Sequence, residues 1–426
     1  MANNTVSNRW LVVLGAILIQ LALGAIYAWS VFTKPLTDSG GIYKFTATQT
    51  NIIFSVGLAA FAVMTILGGR LMAKYRPQRI AMIGGIILGV GYILAGMIGP
   101  SFIGMVLTIG VIGGIGIGLG YVVPIAVGVK WFPDKKGLLT GLAVAGFGLG
   151  AFLWIMAGGR WGHLIELYGV ARVFQIYGVA YIVMVLVGSI WMVNPPEGYK
   201  PEGWNPPPPA KAAATGAIDM NSSEMLKTPQ FFMLWFMFIA GALAGLMVIG
   251  NIKLFGIDAL KAGGMDVALA TAKTDVAMAV YFALANAAGR IIWGMVSDKI
   301  GRKSSLFSMF LFQGIMLLLF YSMGGTETLF YLGALLIGFN FGGNFALFPA
   351  ATADFFGNKT VGLNYGWVFT AYGIGGIVGP ILAGHFKDQV ATAGITAWQT
   401  PFMIAGIVCL IAAVLALTLR APKRTS

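Results

Sequence analysis

Few residues in this 426-residue chain are placed to do chemistry, and the one that most needs a reason is Arg290. It interrupts residues 276–297, VAMAVYFALANAAGRIIWGMVS, a run with no other charge. Arg290 stands eight residues before Asp298, where the helix is expected to leave a membrane. At about 1.5 Å per residue the guanidinium then lies roughly 12 Å deep, close to the midplane. Holding a cation there costs about 3 kcal/mol on insertion scales, so such a residue normally faces a water-filled cavity and meets an anion. Asn286 lies four residues earlier and shares its helical face, so the amide and the guanidinium can serve one ligand or each other. Arginine offers paired N–H donors that match a carboxylate side by side, and it stays protonated. The competing expectation is a structural arginine paired with Asp275 or with another helix. Asp275 is fifteen residues away, about four turns, so the pair along the helix is excluded.

The other reactive types point nowhere else. Cys409, the single cysteine, lies inside an apolar run and reads as packing, with no disulfide or cysteine metal site to join. His163 and His385 fall near helix ends, where interfacial anchoring or local hydrogen bonding explains them. Residues 113–121, GGIGIGLGY, mimic a nucleotide loop, but no strand precedes them and no lysine follows to hold a phosphate. Close helix packing through small residues accounts for that run, as it does for the proline-bent GGIVGPILAG at 375–384. A membrane-embedded enzyme would need a nucleophile–base pair or a metal cluster at depth. The sequence has neither, so no enzymatic activity, cofactor or metal is expected.

The elements that position Arg290 follow from composition. With 58% hydrophobic residues and 10% charged, the chain is expected to be an all-α protein crossing the lipid bilayer repeatedly. Twelve apolar spans are expected near 10–33, 49–72, 79–99, 102–129, 138–159, 171–193, 229–252, 274–297, 304–324, 328–351, 361–386 and 397–420. The first is read as a helix of the mature protein, not a cleaved signal. The net charge of +13 could suggest nucleic acid, but the basic residues sit in short loops between spans. Of the 27 Lys and Arg, 18 fall on the side of the termini and 8 on the opposite side, with Arg290 between. By the positive-inside rule both termini are cytoplasmic.

Residues 194–228, rich in proline and alanine, cannot build a core and are expected to be a cytoplasmic linker. Within it, Asn221 and Glu224 are spaced to cap the start of span seven. The linker joins an N-terminal six-helix bundle, 8–193, to a C-terminal one, 229–420. The halves are repeats: Gly69 and Gly294, Pro124 and Pro349, Gly141 and Gly366, and the aromatics Phe147 and Tyr372 are each 225 residues apart. Parallel repeats about an axis along the membrane normal place a binding site between the halves. A channel or sensor gives no reason for such a duplication around one arginine.

Residues 294–303, GMVSDKIGRK, resemble the loop signature of the major facilitator superfamily. The resemblance implies two six-helix bundles rocking about a central site, with Asp298 and Arg302 as a gating latch. The N-terminal copy has Ala73 in place of the aspartate, so its latch is expected to be weaker. A plain helix-end salt bridge is the alternative. Asn8-Arg-Trp10, Tyr27-Ala-Trp29, WFPDKKGLLTG at 131–141, EMLKTPQF at 224–231 and ALFP at 346–349 further resemble bacterial oxalate/formate antiporters and monocarboxylate transporters. That likeness puts Tyr121, Phe147, Asn340, Phe341, Asn344, Phe345, Phe369 and Tyr372 at pore-lining positions, with Tyr27 a weaker candidate. Tyr121 and Tyr372 stand out because their hydroxyls need partners in a dry bundle. By the 225 offset, Gly116 and Gly120 take the places of Phe341 and Phe345, so the N-terminal half is expected to give a small wall and the C-terminal half a large one.

Departures from the relatives bear on the substrate. Oxalate antiporters of this type carry a lysine where this chain has Tyr372, so one cation argues for one carboxylate. Animal monocarboxylate transporters pair the helix-eight arginine with an aspartate one turn earlier and add a lysine on helix one. Here those places hold Asn286 and a charge-free stretch around Ser30 and Val31. The expectation is a monomeric bacterial inner-membrane transporter of a small monocarboxylate anion, lactate or pyruvate, coupled by resemblance to a proton. Oxalate/formate-type antiport is the alternative, because no acidic residue is evident in the core of any span.

Overall fold

The computed structural model describes residues 8–38, 40–159, 161–203, 219–420 and 422. Arg160 and linker residues 204–218 lie outside them. The described residues are all-helical, with twelve helices long and apolar enough to cross a membrane. Spans 1 to 6 are Trp10–Trp29, Ile52–Leu71, Pro77–Ile98, Phe102–Trp131, Leu138–Gly158 and Leu164–Ser189. Spans 7 to 12 are Pro229–Ala262, Val267–Ile300, Arg302–Met323, Glu327–Phe356, Val361–Lys387 and Gly394–Thr418. An even number of spans returns the two termini to one side.

Local chemistry sets the ends. Thr46 and Gln49 form a reciprocal capping box at the helix leading into span 2, and Asn221 and Glu224 form another in the short helix Ser222–Met225 before span 7. Thr228 then caps the helix of span 7, which opens on Pro229. Hydropathy misplaces three ends by seven residues or more. Span 7 continues to Ala262 and span 8 already begins at Val267, past the apolar windows that were expected to bound them. The additional turns carry charge, held by Lys253–Asp275 at 2.6 Å and Lys273–Glu327 at 2.8 Å. Span 6 starts at Leu164 because its helix bends through Gly169 (φ 72°), a left-handed conformation that glycine adopts freely.

Packing repeats between the halves. Spans 1 and 5, 2 and 4, 3 and 6 pack together, as do 7 and 11, 8 and 10, 9 and 12. Across the midline, span 5 packs on span 8 and span 2 on span 11. Glycines make both crossings close. A Cβ at Gly141 would stand 3.1 Å from Ile291 Cα, and one at Gly366, 225 residues later, 2.9 Å from Ile66 Cα. Gly148 meets Ala287 N at 3.1 Å, and its counterpart Gly373 meets Ala62 Cβ at 2.7 Å. Small residues let helix backbones touch where lipid-like side chains would hold them apart.

The expected small wall is not where the repeat arithmetic put it. Gly116 packs into span 3, where an added Cβ would overlap the Leu88 backbone, and Gly120 is covered by Leu23. Both glycines serve packing within the N-terminal half. The room for Phe341 comes instead from Gly245 on span 7, where any Cβ would overlap its ring.

The halves are in contact on the side of the termini and apart on the other. There, a cavity of about 1390 Å³ opens between them, lined by Val31 and Met156 from one half and Lys253, Ala272 and Met278 from the other.

Candidate anion-binding site

Beneath that cavity, Arg290 is fully buried. Its Nε donates to Asn286 Oδ1 at 3.0 Å, the i, i+4 pair expected from sequence. Nη1 donates to the Val144 carbonyl of span 5 at 2.8 Å, so the guanidinium ties one half to the other. Gly148 makes this possible, since a Cβ there would stand 2.9 Å from Asn286 Oδ1. Nη2 has no hydrogen-bond partner among the described residues. Two faces of the fork are thus occupied by protein. Of its five N–H donors two are taken by these bonds, and both donors of Nη2 and one of Nη1 are left for the side-by-side pair expected for a carboxylate.

Aromatic rings enclose the cation. Its central carbon lies 4.1 Å from the Phe345 ring centre and 5.4 Å from that of Phe147, distances at which a desolvated cation is held by the ring quadrupole. Phe369 stacks on Tyr372 at 4.7 Å and lies 5.0 Å from Tyr121. Phe341 packs edge-on against Phe345 at 5.2 Å. Above this layer, Tyr27 of span 1 and Tyr372 of span 11 share a hydroxyl–hydroxyl bond of 2.6 Å. Tyr27 sits one turn beneath Val31, which lines the cavity, so this bond lies between cavity and guanidinium.

Asn340 and Asn344 are turned elsewhere. Asn340 Oδ1 accepts from Trp293 Nε1 at 3.3 Å, and Asn344 Nδ2 donates to the Phe341 carbonyl at 3.0 Å while its Oδ1 faces Gly241 of span 7. The arrangement as a whole can hold one small anion: a single buried cation in an apolar, aromatic box with a few convergent polar atoms.

The end of span 8 carries the second cluster. Asp298 pairs with Arg302 at 2.9 Å, and Arg302 Nε donates to Asp354 of span 10 at 2.7 Å, with Ser297 also bonded to the guanidinium. Asp298 Oδ2 also accepts the backbone N–H of Leu138 at 2.8 Å. Leu138 is in the first turn of span 5, so this carboxylate caps a helix of the opposite half and meets the positive end of its dipole.

The sequence matches the Major Facilitator Superfamily over residues 6–274 and 264–426, the full length of both halves. The chain belongs to the major facilitator superfamily. It is 30% identical over 421 residues to the oxalate:formate antiporter of Oxalobacter formigenes, covering 96% of this chain and 91% of that one. It is 24% identical over 451 residues to apicoplast pyruvate carrier 1 of Toxoplasma gondii, covering 85% and 81%. Among solved structures, the proton:xylose symporter XylE bound to 6-bromo-6-deoxy-D-glucose superposes with a TM-score of 0.69 over 96% of this chain and 95% of that one. At 15% identity that likeness shows the fold alone. The superfamily and its fold are those of multi-pass membrane transporters, not of enzymes.

This superfamily member brings two further residues to the pocket that sequence reasoning passed over. Phe61 of span 2 lies 4.9 Å from Tyr121 and from Phe369, and 5.7 Å from Tyr372. It is the repeat counterpart of Asn286, 225 residues earlier, and that register was the signal available to find it. Tyr365 of span 11 contacts Phe369 at 5.5 Å and turns its hydroxyl toward that of Tyr121. Seven residues before Tyr372, it shares that residue's helical face.

Proposed function

We propose that the protein is a secondary transporter of small monocarboxylates such as lactate and pyruvate. It works by alternating access between bundles 8–193 and 229–420 joined by the linker 194–228. The observation that carries the reading is Arg290: a buried cation whose Nη2 has no hydrogen-bond partner among the described residues, set in an aromatic box below an open cavity. Among the described residues it is the one charged side chain that is fully buried. An uncompensated cation in a closed, dry pocket is disfavoured, so a bound carboxylate neutralises the site and lets the loaded protein occlude and turn over. One cation fits one carboxylate, and the likeness to a pyruvate carrier agrees. The side of the termini is taken as the cytoplasmic side of a bacterial inner membrane, a reading supported by its excess of Lys and Arg, and on that reading this conformation is outward-facing. The chain functions as a monomer.

Proton symport is the proposed coupling. In proteoliposomes, acid outside should drive accumulation of labelled lactate, and a protonophore should collapse it. Exchange is the second reading, favoured by the likeness to the oxalate:formate antiporter. Uptake that ignores the pH gradient and requires internal monocarboxylate would establish exchange in its place. For the site itself, Arg290→Ala should abolish lactate binding and uptake in a protein that still purifies folded, and near-normal uptake would remove Arg290 from the site.

A further inference from the structure

Among the described residues, three polar atoms in the pocket are buried without a well-formed hydrogen bond: Arg290 Nη2 and the Tyr121 and Tyr365 hydroxyls, which face each other. All three side chains are fully buried, and both tyrosines lie within electrostatic reach of the guanidinium. They converge from both halves, Tyr121 on span 4 and Arg290 and Tyr365 on spans 8 and 11. Buried polar groups left unpaired are rare, and a cluster of three around one cation calls for a missing partner. The donors and acceptors on offer describe that partner. Nη2 brings two N–H donors, and each hydroxyl brings one O–H donor together with lone pairs that accept. A carboxylate supplies acceptors only and leaves the hydroxyl lone pairs empty. A hydroxyl group on the adjacent carbon supplies the donor they lack.

We propose that Tyr365 is a substrate-binding residue which, with Tyr121, reads the 2-hydroxyl of a 2-hydroxy monocarboxylate whose carboxylate rests on Arg290 Nη2. This rests on the monocarboxylate reading of the Arg290 pocket and narrows it to 2-hydroxy acids such as lactate, with pyruvate, which has no 2-hydroxyl, the weaker ligand of the two. A site built to bond a substrate hydroxyl rejects the analogue without it, because its own polar groups then stay unpaired. The ring of Tyr365 is held against Phe369, so Tyr365→Phe removes the hydroxyl and keeps the packing.

The test is calorimetric titration of the purified full-length protein with L-lactate and with propionate, which has the same carbon skeleton and no hydroxyl. Wild type should bind lactate at least about tenfold more tightly than propionate. Tyr365→Phe should weaken lactate about tenfold, leave propionate within about threefold, and leave the melting temperature of the ligand-free protein nearly unchanged, since the hydroxyl it deletes makes no well-formed hydrogen bond there. Tyr121→Phe, on the opposite half, should narrow the same ratio. Unchanged lactate affinity in a folded Tyr365→Phe protein, or equal weakening of both acids, overturns the proposal. Arg290→Ala separates the two levels. If its loss abolishes binding of both acids while Tyr365→Phe changes neither, the Arg290 site stands and the hydroxyl reading falls. If wild type binds neither acid, both fall together.

Discussion

Arg290 was legible at the residue scale because its cost is written in the sequence: a lone cation in an apolar run demands a reason, and Asn286 at i−4 already names one partner. What the sequence hides is how the fork is divided. Nε goes to Asn286, Nη1 to the Val144 carbonyl of the opposite half and Nη2 to the pocket. Lysine has a single nitrogen on a flexible stem and cannot serve three directions held in one plane. Arg290→Lys should therefore lower lactate uptake by at least about tenfold despite keeping the charge. Uptake close to wild type would mean that charge alone does the work. Tyr372 gives a second residue-scale prediction. Its ring stacks on Phe369 and its hydroxyl meets Tyr27, placing position 372 in the same layer as the Arg290 cage. A lysine there adds a second cation that a monocarboxylate cannot neutralise but a dicarboxylate can. Tyr372→Lys should raise the ratio of oxalate to lactate affinity, and an unchanged ratio in a folded variant would place Tyr372 away from the substrate. Tyr365 and Phe61 escaped the sequence because one aromatic in an apolar span reads as packing. Only their neighbours across the midline mark them otherwise.

For helices, apolar length located all twelve spans, since a bilayer leaves few alternatives to a continuous helix. It failed where spans 7 and 8 run on past the hydrocarbon into charged turns, because the apolar window stops where ion pairs take over. The glycines divide in a way that period alone does not reveal. Gly116 faces span 3 within its own bundle, whereas Gly141 faces Arg290 and Ile291 of the other. A Cβ at Gly141 would overlap the Arg290 carbonyl oxygen, so Gly141→Ala pushes span 5 off span 8 and with it the Val144 carbonyl off Nη1. Gly141→Ala should cut lactate uptake severalfold, as should Gly366→Ala at the matching crossing of spans 2 and 11. Both should leave the expression level near wild type, because each bundle packs on its own contacts. Uptake unaffected by either change would show that these crossings are not held close during transport.

At the scale of the whole molecule, the 225-residue repeat foretold a pseudo-symmetric pair of bundles but not which side of their interface is shut. The structure closes the side of the termini, and it does so asymmetrically. Asp298 caps span 5 across the midline, while the corresponding place in the first half holds Ala73 and no such carboxylate. That departure was visible in the sequence, but the partner it lacks was not, because a backbone N–H leaves no mark on the residue type. A charged cap at a helix start contributes about 1 kcal/mol, which moves a two-state ratio about fivefold. Asp298→Ala should therefore shift the protein away from this conformation and toward the one open on the side of the termini. The shift can be read with one thiol. Cys409, the single native cysteine, is buried in span 12, and Ala272 is an exposed residue lining the cavity. In an Ala272→Cys background, a membrane-impermeant maleimide should label the cavity readily. Adding Asp298→Ala should slow that labelling by up to about fivefold, in proportion to the population lost. A labelling rate that does not change would show that the Asp298 cap is not what keeps the cavity open.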